Sequence, residues 1–312
     1  MNGMVFRAAA VCSLAFWCSG QVSAAEKPEA PEPRSRSEIE AVLAKAAGTR
    51  PSGEIRHLNI VLVADEKDHG ENEHDYPLWQ ERWKTLLAGG QGPVNLYGPA
   101  DSNSKDVRGG ENVTVTTAKG WPNKEQLASA DVIVAFCYIK WDDEKLSQLA
   151  EYLKRGGGFV PVHSATWTRP APSERLAKLT GCGGFTLYRH GPLKLTFTGE
   201  NDPICLGLPE TIEFFDESYW PLTPDANDKQ MKVLAVSEER ISRTSGEKRP
   251  QPMFWTYRYG QGRIFGCVPG HYMWTFDDPY FRLLLLRGMA WSAGEWPCRF
   301  DSLATRGVKL AE

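Results

Sequence analysis

The chain has 312 residues, with 36 basic and 39 acidic side chains and a net charge of −3. That near-balance excludes the strongly basic surface nucleic acid requires, so no nucleic-acid partner is expected. The length fits one large α/β domain or two smaller ones, and the lack of a second apolar pattern favours one.

Residues 1–25 read as a secretory signal: Arg7 in a short n-region, the apolar stretch AAAVCSLAFWCSG, then Val22, Ser23 and Ala24 with small residues at the cleavage positions. That stretch is too short to span a bilayer comfortably, and no later run reaches the roughly 20 apolar residues of a membrane helix. A periplasmic or secreted protein without a transmembrane segment is expected. Phe16 and Trp17 before Cys18 argue against a lipid anchor. Of the seven cysteines, five follow the signal, an odd number without regular spacing, which makes a poor disulfide framework and a poor zinc site. A Cys182–Cys205 bridge stays open on spacing.

Residues 26–54 read as a proline-rich linker and a short helix, opened by Ser37 with Glu40 completing a capping box. From residue 55 to about 300 strands and helices alternate. LNIVLVA is a buried strand, and Pro77 to Ala88 is an amphipathic helix starting at a first-turn proline. NVTVTTA is a second strand, Lys124 to Ala130 a short helix capped by Asn123, and DVIVAFCY a third strand. Asp142 to Arg155 has helical spacing and stops at Gly156, and FVPV is the fourth strand. The second half is richer in strands: LKLTFT, TIEFFDESYW, MKVLAV, and the hairpin PMFWTYRYGQGRIFGCV turning at Gly260 to Gly262. Asp278 and Pro279 then open a last helix, and residues 301–312 form a C-terminal tail. The pattern predicts an α/β fold: a flavodoxin-like doubly wound, mostly parallel sheet with helices on both faces and an antiparallel strand extension.

In such a sheet, loops at the carboxyl ends of parallel strands converge on one crevice. His69 and His74, His163, and His271 each follow a predicted strand, so they are the leading site candidates. The loop Asp65 to Asp75 holds six carboxylates, two histidines and one lysine, which suits a cation or an acid/base pair. Its bland reading is a solvated loop with His74 capping the next helix. His163 is a candidate general base or metal ligand, set against a histidine merely hydrogen-bonded at a strand end. Ser164 lacks the flanking glycines of a nucleophile elbow. One of Asp277 and Asp278 is expected to cap the last helix and the other to orient His271. Neighbouring Asp216 and Glu217 face opposite sides of their strand, and Glu217 is preferred as ligand or acid. Arg189 and His190 are binding candidates, expected just before a strand and so near a different edge. Trp79, Trp141, Trp167, Trp220 and Trp274 lie near these loops. With Tyr219 they suit stacking on sugar rings, although two or three of the tryptophans are expected in the core. GGG at 156–158 precedes a strand, so no nucleotide cofactor is expected.

HLNIVLVADEKDHGENEHDYPLWQERW, GGGFVPVHSA, YRHGPLKL, FDESYWPL and GQGRIFGCVPGHYMWTFDDPYFRLLLLRGMAW together resemble the ThuA-like, or trehalose-utilisation, domain over roughly residues 55–295. The resemblance implies the class I glutamine amidotransferase-like fold, but no cysteine follows FVPV, so glutamine hydrolysis is not expected. It also implies disaccharide catabolism by way of keto-sugars, whose ketone acidifies the neighbouring proton. The expected function is a hydrolase or lyase with His163, His271 and Glu217 in catalysis, and Trp167, Trp274, Tyr219, Arg189 and His190 contacting a small carbohydrate. His69, His74, His163 and His271 are candidate ligands of a divalent metal such as zinc. The alternatives are a non-catalytic carbohydrate-binding protein on the same fold, and a thiol or serine hydrolase.

Overall fold

The computed structural model describes residues 28–100, 106–199, 201–223 and 231–312. The predicted signal at 1–25 lies outside the described residues. The chain divides into a short N-terminal unit, Met1–Ala30, and one body, Pro31–Glu312, which carries every element below. Among the described residues no helix is long and apolar enough to cross a membrane.

The body alternates as its sequence pattern requires: α1 (Arg36–Ala47), β1 (Leu58–Ala64), α2 (Tyr76–Ala88), β2 (Val113–Lys119), α3 (Lys124–Ser129), β3 (Val132–Ala135), α4 (Asp143–Lys154), β4 (Gly158–Pro161) and α5 (Glu174–Thr180). There follow β5 (Leu187–Phe197), β6 (Thr211–Trp220), β7 (Lys232–Arg240), β8 (Lys248–Tyr259), β9 (Gly262–Cys267) and α6 (Pro279–Ser292). All nine strands form one sheet in the order β2-β1-β3-β4-β9-β8-β7-β5-β6. Pairing is parallel from β2 to β9 and antiparallel from β9 through β6. Helices cover both faces, so central strands such as β3 are buried at every residue, as a two-sided parallel sheet demands.

Helix α6 shows what that burial costs. It is apolar nearly all round and lies in the core, yet it carries Arg282 and Arg287, both with no exposed surface. Each is neutralised by a carboxylate: Arg282 meets Asp277 at 2.6 Å, and Arg287 meets Asp301 at 2.7 Å. A buried guanidinium without such a partner would be untenable. Asp301 thereby ties residues beyond 300 to the body, and Leu303 and Ala304 are fully buried. At Gly288 any Cβ would stand 2.3 Å from the Phe265 ring, so only glycine lets α6 approach β9 this closely.

Three local expectations are corrected. The Ser37–Glu40 capping box does not form, because α1 begins earlier, after Ser35, whose hydroxyl meets Ser37 Oγ at 2.9 Å. The helix after the acidic loop is capped by Asp75, which accepts from Leu78 N at 3.2 Å, and not by His74. The strand predicted as LKLTFT begins at Leu187 and pairs with β6 in continuous register, so Arg189 and His190 lie inside it.

Candidate active site

The crevice lies at the carboxyl ends of β1, β4 and β9, closed on one side by β5 and β6. Strand β4 ends at Pro161, Val162 bridges to Cys267, and His163 then turns the chain with φ of 49°. A left-handed histidine costs about 1–3 kcal/mol unless its surroundings hold it there. Here they do. Nδ1 meets Val268 O at 2.7 Å, Thr166 Oγ1 donates to the His163 carbonyl at 2.6 Å, and the ring stacks on Tyr219 with centroids 4.6 Å apart. The position where some α/β enzymes place a nucleophile is thus taken by His163. Ser164 next to it accepts a hydrogen bond from Tyr76 at 2.8 Å.

The acidic loop is fastened to the loop after β9. His74 N donates to His271 O at 3.1 Å, Met273 N donates to Asn72 O at 2.8 Å, and Glu73 bridges to Tyr272. Two strands that are not neighbours in the sheet therefore deliver His74 and His271 to one point. From the other side, β6 splits its acidic pair by strand alternation. Asp216 turns away and accepts from Gly270 N at 3.1 Å, from His271 N at 2.9 Å and from the Thr275 hydroxyl. Glu217 faces the crevice. The aspartate that positions the His271 loop is therefore Asp216, correcting the assignment to Asp277 or Asp278. Asp277 instead accepts from Leu96 N and Tyr97 N and pairs with Arg282, while Asp278 caps α6 and binds Arg34 at 2.7 Å.

His74, His163, His271 and Glu217, all buried, bring one ligand atom each within 4.8 Å of one another. Their protonation follows from their partners. A carbonyl only accepts, so His163 bears its proton on Nδ1 and offers a lone pair at Nε2. Burial and the neighbouring imidazoles hold His74 far below the usual histidine range. Neutral, it donates from Nδ1 to Asp68 Oδ1 at 2.9 Å and offers a lone pair at Nε2. Burial works to raise Glu217, yet His163 and His271 beside it keep it below the usual carboxylate range. The Tyr219 hydroxyl stands 2.7 Å from His163 Nε2 and 3.0 Å from Glu217 Oε2, and its single proton can serve only one of them. His271 Nδ1 lies 2.9 Å from Glu217 Oε2, but off the line of an N–H bond, and this buried nitrogen has no hydrogen-bond partner. Burial lowers and Glu217 raises the pKa of His271, with a net rise.

More lone pairs than protons meet at this point, and one buried nitrogen is orphaned. Three imidazoles with one carboxylate form a donor set that could bind a divalent metal. The contacts from His163 to Val268 and from His74 to Asp68 orient the rings as metal-binding histidines are usually oriented. His69 lies outside this group: it is 43 % exposed, 2.7 Å from Asp68, and belongs to a second, more exposed set with Asp68 and His74.

Above the four residues opens a cavity of about 390 Å³, at the small end of the range for ligand sites. His190 borders it, with Nε2 3.5 Å from Glu217 Oε1 and Nδ1 3.2 Å from the Tyr272 hydroxyl. Burial lowers the His190 pKa, so it is held neutral. Trp167 and Tyr219 also line the cavity. Trp274 does not: its indole donates to Phe215 O and its ring stacks on Tyr272. Arg189 points to the opposite face of β5 and holds buried Glu239 with two bonds of 2.6 and 2.7 Å. Trp79, Trp220 and Trp274 are buried, and Trp141 borders a neighbouring cavity. Sequence reasoning overlooked Tyr76 and Asp68, although both stand in the segment DHGENEHDYP. It also overlooked Tyr138, Arg169 and Tyr188, which carried no periodic or motif signal.

All five described cysteines are free and buried, so Cys182 and Cys205 are not bridged. Burial pushes the Cys137 and Cys182 thiols up to about 12, which disfavours a thiolate nucleophile at neutral pH.

The family model described as trehalose utilisation, ThuA, matches residues 61–292. A ThuA-like protein from Bacteroides uniformis superposes with a TM-score of 0.57 at 17% identity, covering 80% of this chain and 98% of its own. Another from Parabacteroides merdae gives 0.50 at 18% identity, covering 77% and 92%. Both likenesses show the fold. No curated protein is significantly similar to the chain. A family match over most of the body makes this chain a member of the ThuA, trehalose-utilisation, family.

Proposed function

We propose that the protein is an exported enzyme of disaccharide or keto-sugar catabolism, a hydrolase or lyase whose site holds one divalent metal, zinc being the best match, on His74, His163, His271 and Glu217. The observation that carries this reading is the buried cluster of three imidazoles and a carboxylate, in which His271 Nδ1 faces Glu217 at 2.9 Å without hydrogen-bond geometry. A metal there supplies a Lewis acid for a carbonyl or hydroxyl oxygen and lowers the pKa of water.

The chain's own groups do the rest. His163 serves as a ligand and not as the base, because its Nδ1 is spent on Val268 and its Nε2 faces the cluster. His190 takes the role of proton carrier. It is neutral, borders the cavity outside the ligand group and meets Tyr272 through Nδ1; in the tautomer that donates from Nδ1, Nε2 carries the lone pair that accepts a proton from a carbon next to a ketone. Trp167 offers an aromatic face to a sugar ring, and Glu73, 3.7 Å from His271, offers a carboxylate to its hydroxyls. Tyr76 and Asp68 hold the His74 ring at Nδ1, and Tyr76 in turn donates to Ser164. Export rests on residues 1–25 and is checked by sequencing the N-terminus of the protein recovered from the periplasm or medium.

The test is turnover of disaccharides and their 3-keto derivatives by purified protein, before and after chelation. Product formation lost with chelator and restored by metal supports the reading. Binding without turnover in metal-replete protein replaces it with a carbohydrate-binding role.

A further inference from the structure

Beside the histidine cavity lies a second one of about 250 Å³, between the loop that follows β3 and the loop leading into α5. The two share Tyr138 and Arg169, which stand between them, the guanidinium 5.6 Å from the Tyr138 ring centre. Tyr138 stands in the loop after β3 and Arg169 in the loop after β4, beyond His163.

The lining of the second cavity is specific in its charge balance. Trp141 gives it an aromatic wall. Its other charged groups cancel locally: Arg175 pairs with Asp143, and Asp142 pairs with Lys145. Arg169 has no ion-pair partner among the described residues, so its donors are available to neutral oxygens at the junction. An aromatic wall beside paired charges and one guanidinium with free donors suits a hydroxyl-bearing ring better than an apolar group. No residue of the metal-binding cluster reaches this cavity, so it does not belong to the reacting centre.

We propose that this second cavity is a subsite for a second sugar ring, linked across the Tyr138–Arg169 saddle to the ring bound at the histidines, with Trp141 as its platform. The inference rests on the carbohydrate reading above and adds to it where the remainder of the ligand lies and which residues select for it. Selection then falls on ligand length and linkage, through residues that do no chemistry.

Calorimetric titration of the full-length mature protein tests it, with glucose against trehalose, maltose, cellobiose and laminaribiose. At least one disaccharide should bind about tenfold tighter than glucose, the scale of one well-placed group in a pocket. Ala171→Trp, which fills the second cavity from an exposed position, should bring that disaccharide level with glucose and leave glucose binding unchanged. Trp141→Ala should do the same where it folds. Glucose and every disaccharide binding equally to the unaltered protein, or Ala171→Trp keeping the preference, overturns the subsite while leaving the carbohydrate reading in place. Failure of every sugar to bind overturns both.

Discussion

The parallel half of the sheet and its antiparallel extension build the site in different ways. Strands β1, β4 and β9 deliver His74, His163 and His271 from loops past their carboxyl ends, where a parallel sheet always leaves a crevice. Strands β5 and β6 deliver His190, Glu217 and Tyr219 from within regular pairing, by alternation and not by loop position. The parallel half therefore supplies imidazole nitrogens on backbone held by hydrogen bonds, and the extension supplies the carboxylate of the four-residue group. A crevice general to the fold becomes a particular site through the extension.

Removing the charge from the extension should have the largest effect. Glu217→Gln keeps the shape and loses the anionic donor, and metal affinity measured by competition with a chromophoric chelator should fall about 100-fold. An unchanged affinity would assign the site to the parallel half alone. Next comes Asp216→Ala. It strips acceptors from Gly270 N, His271 N and Thr275 and should cost about 3 kcal/mol in denaturant unfolding. Tyr219→Phe removes the hydroxyl that competes for the His163 and Glu217 lone pairs and should raise metal affinity about fivefold, with the unfolding midpoint nearly kept. His69→Ala is expected to change affinity by no more than about threefold, as befits an exposed contact. A larger loss would move the ligand group toward Asp68 and His69.

These contrasts also mark what the sequence made legible. The strand-then-histidine pattern of LNIVLVA, FVPV and RIFGCV was enough to place three histidines at one edge, because β-strand ends and parallel connection follow local pattern. Alternation showed that only one of Asp216 and Glu217 could face the crevice, but not which. Partners distant in sequence were not readable: Val268 for His163 depends on the pairing of β4 with β9, and Asp216 for the His271 loop and Glu239 for Arg189 depend on how the extension is placed. Gly191 and Pro192 interrupt the apolar pattern of β5, which is why His190 read as lying outside the strand that presents it. Trp274 read as a sugar platform and is a wall of the core, since nothing in its spacing reveals the stack on Tyr272.

The most direct test is elemental analysis of the purified mature protein beside His163→Ala and His271→Ala variants, with circular dichroism to confirm that each is folded. One near-stoichiometric divalent metal in the parent and only traces in both variants is the predicted result. A folded parent that takes up no metal, even when offered zinc, manganese, iron or nickel, would contradict the account.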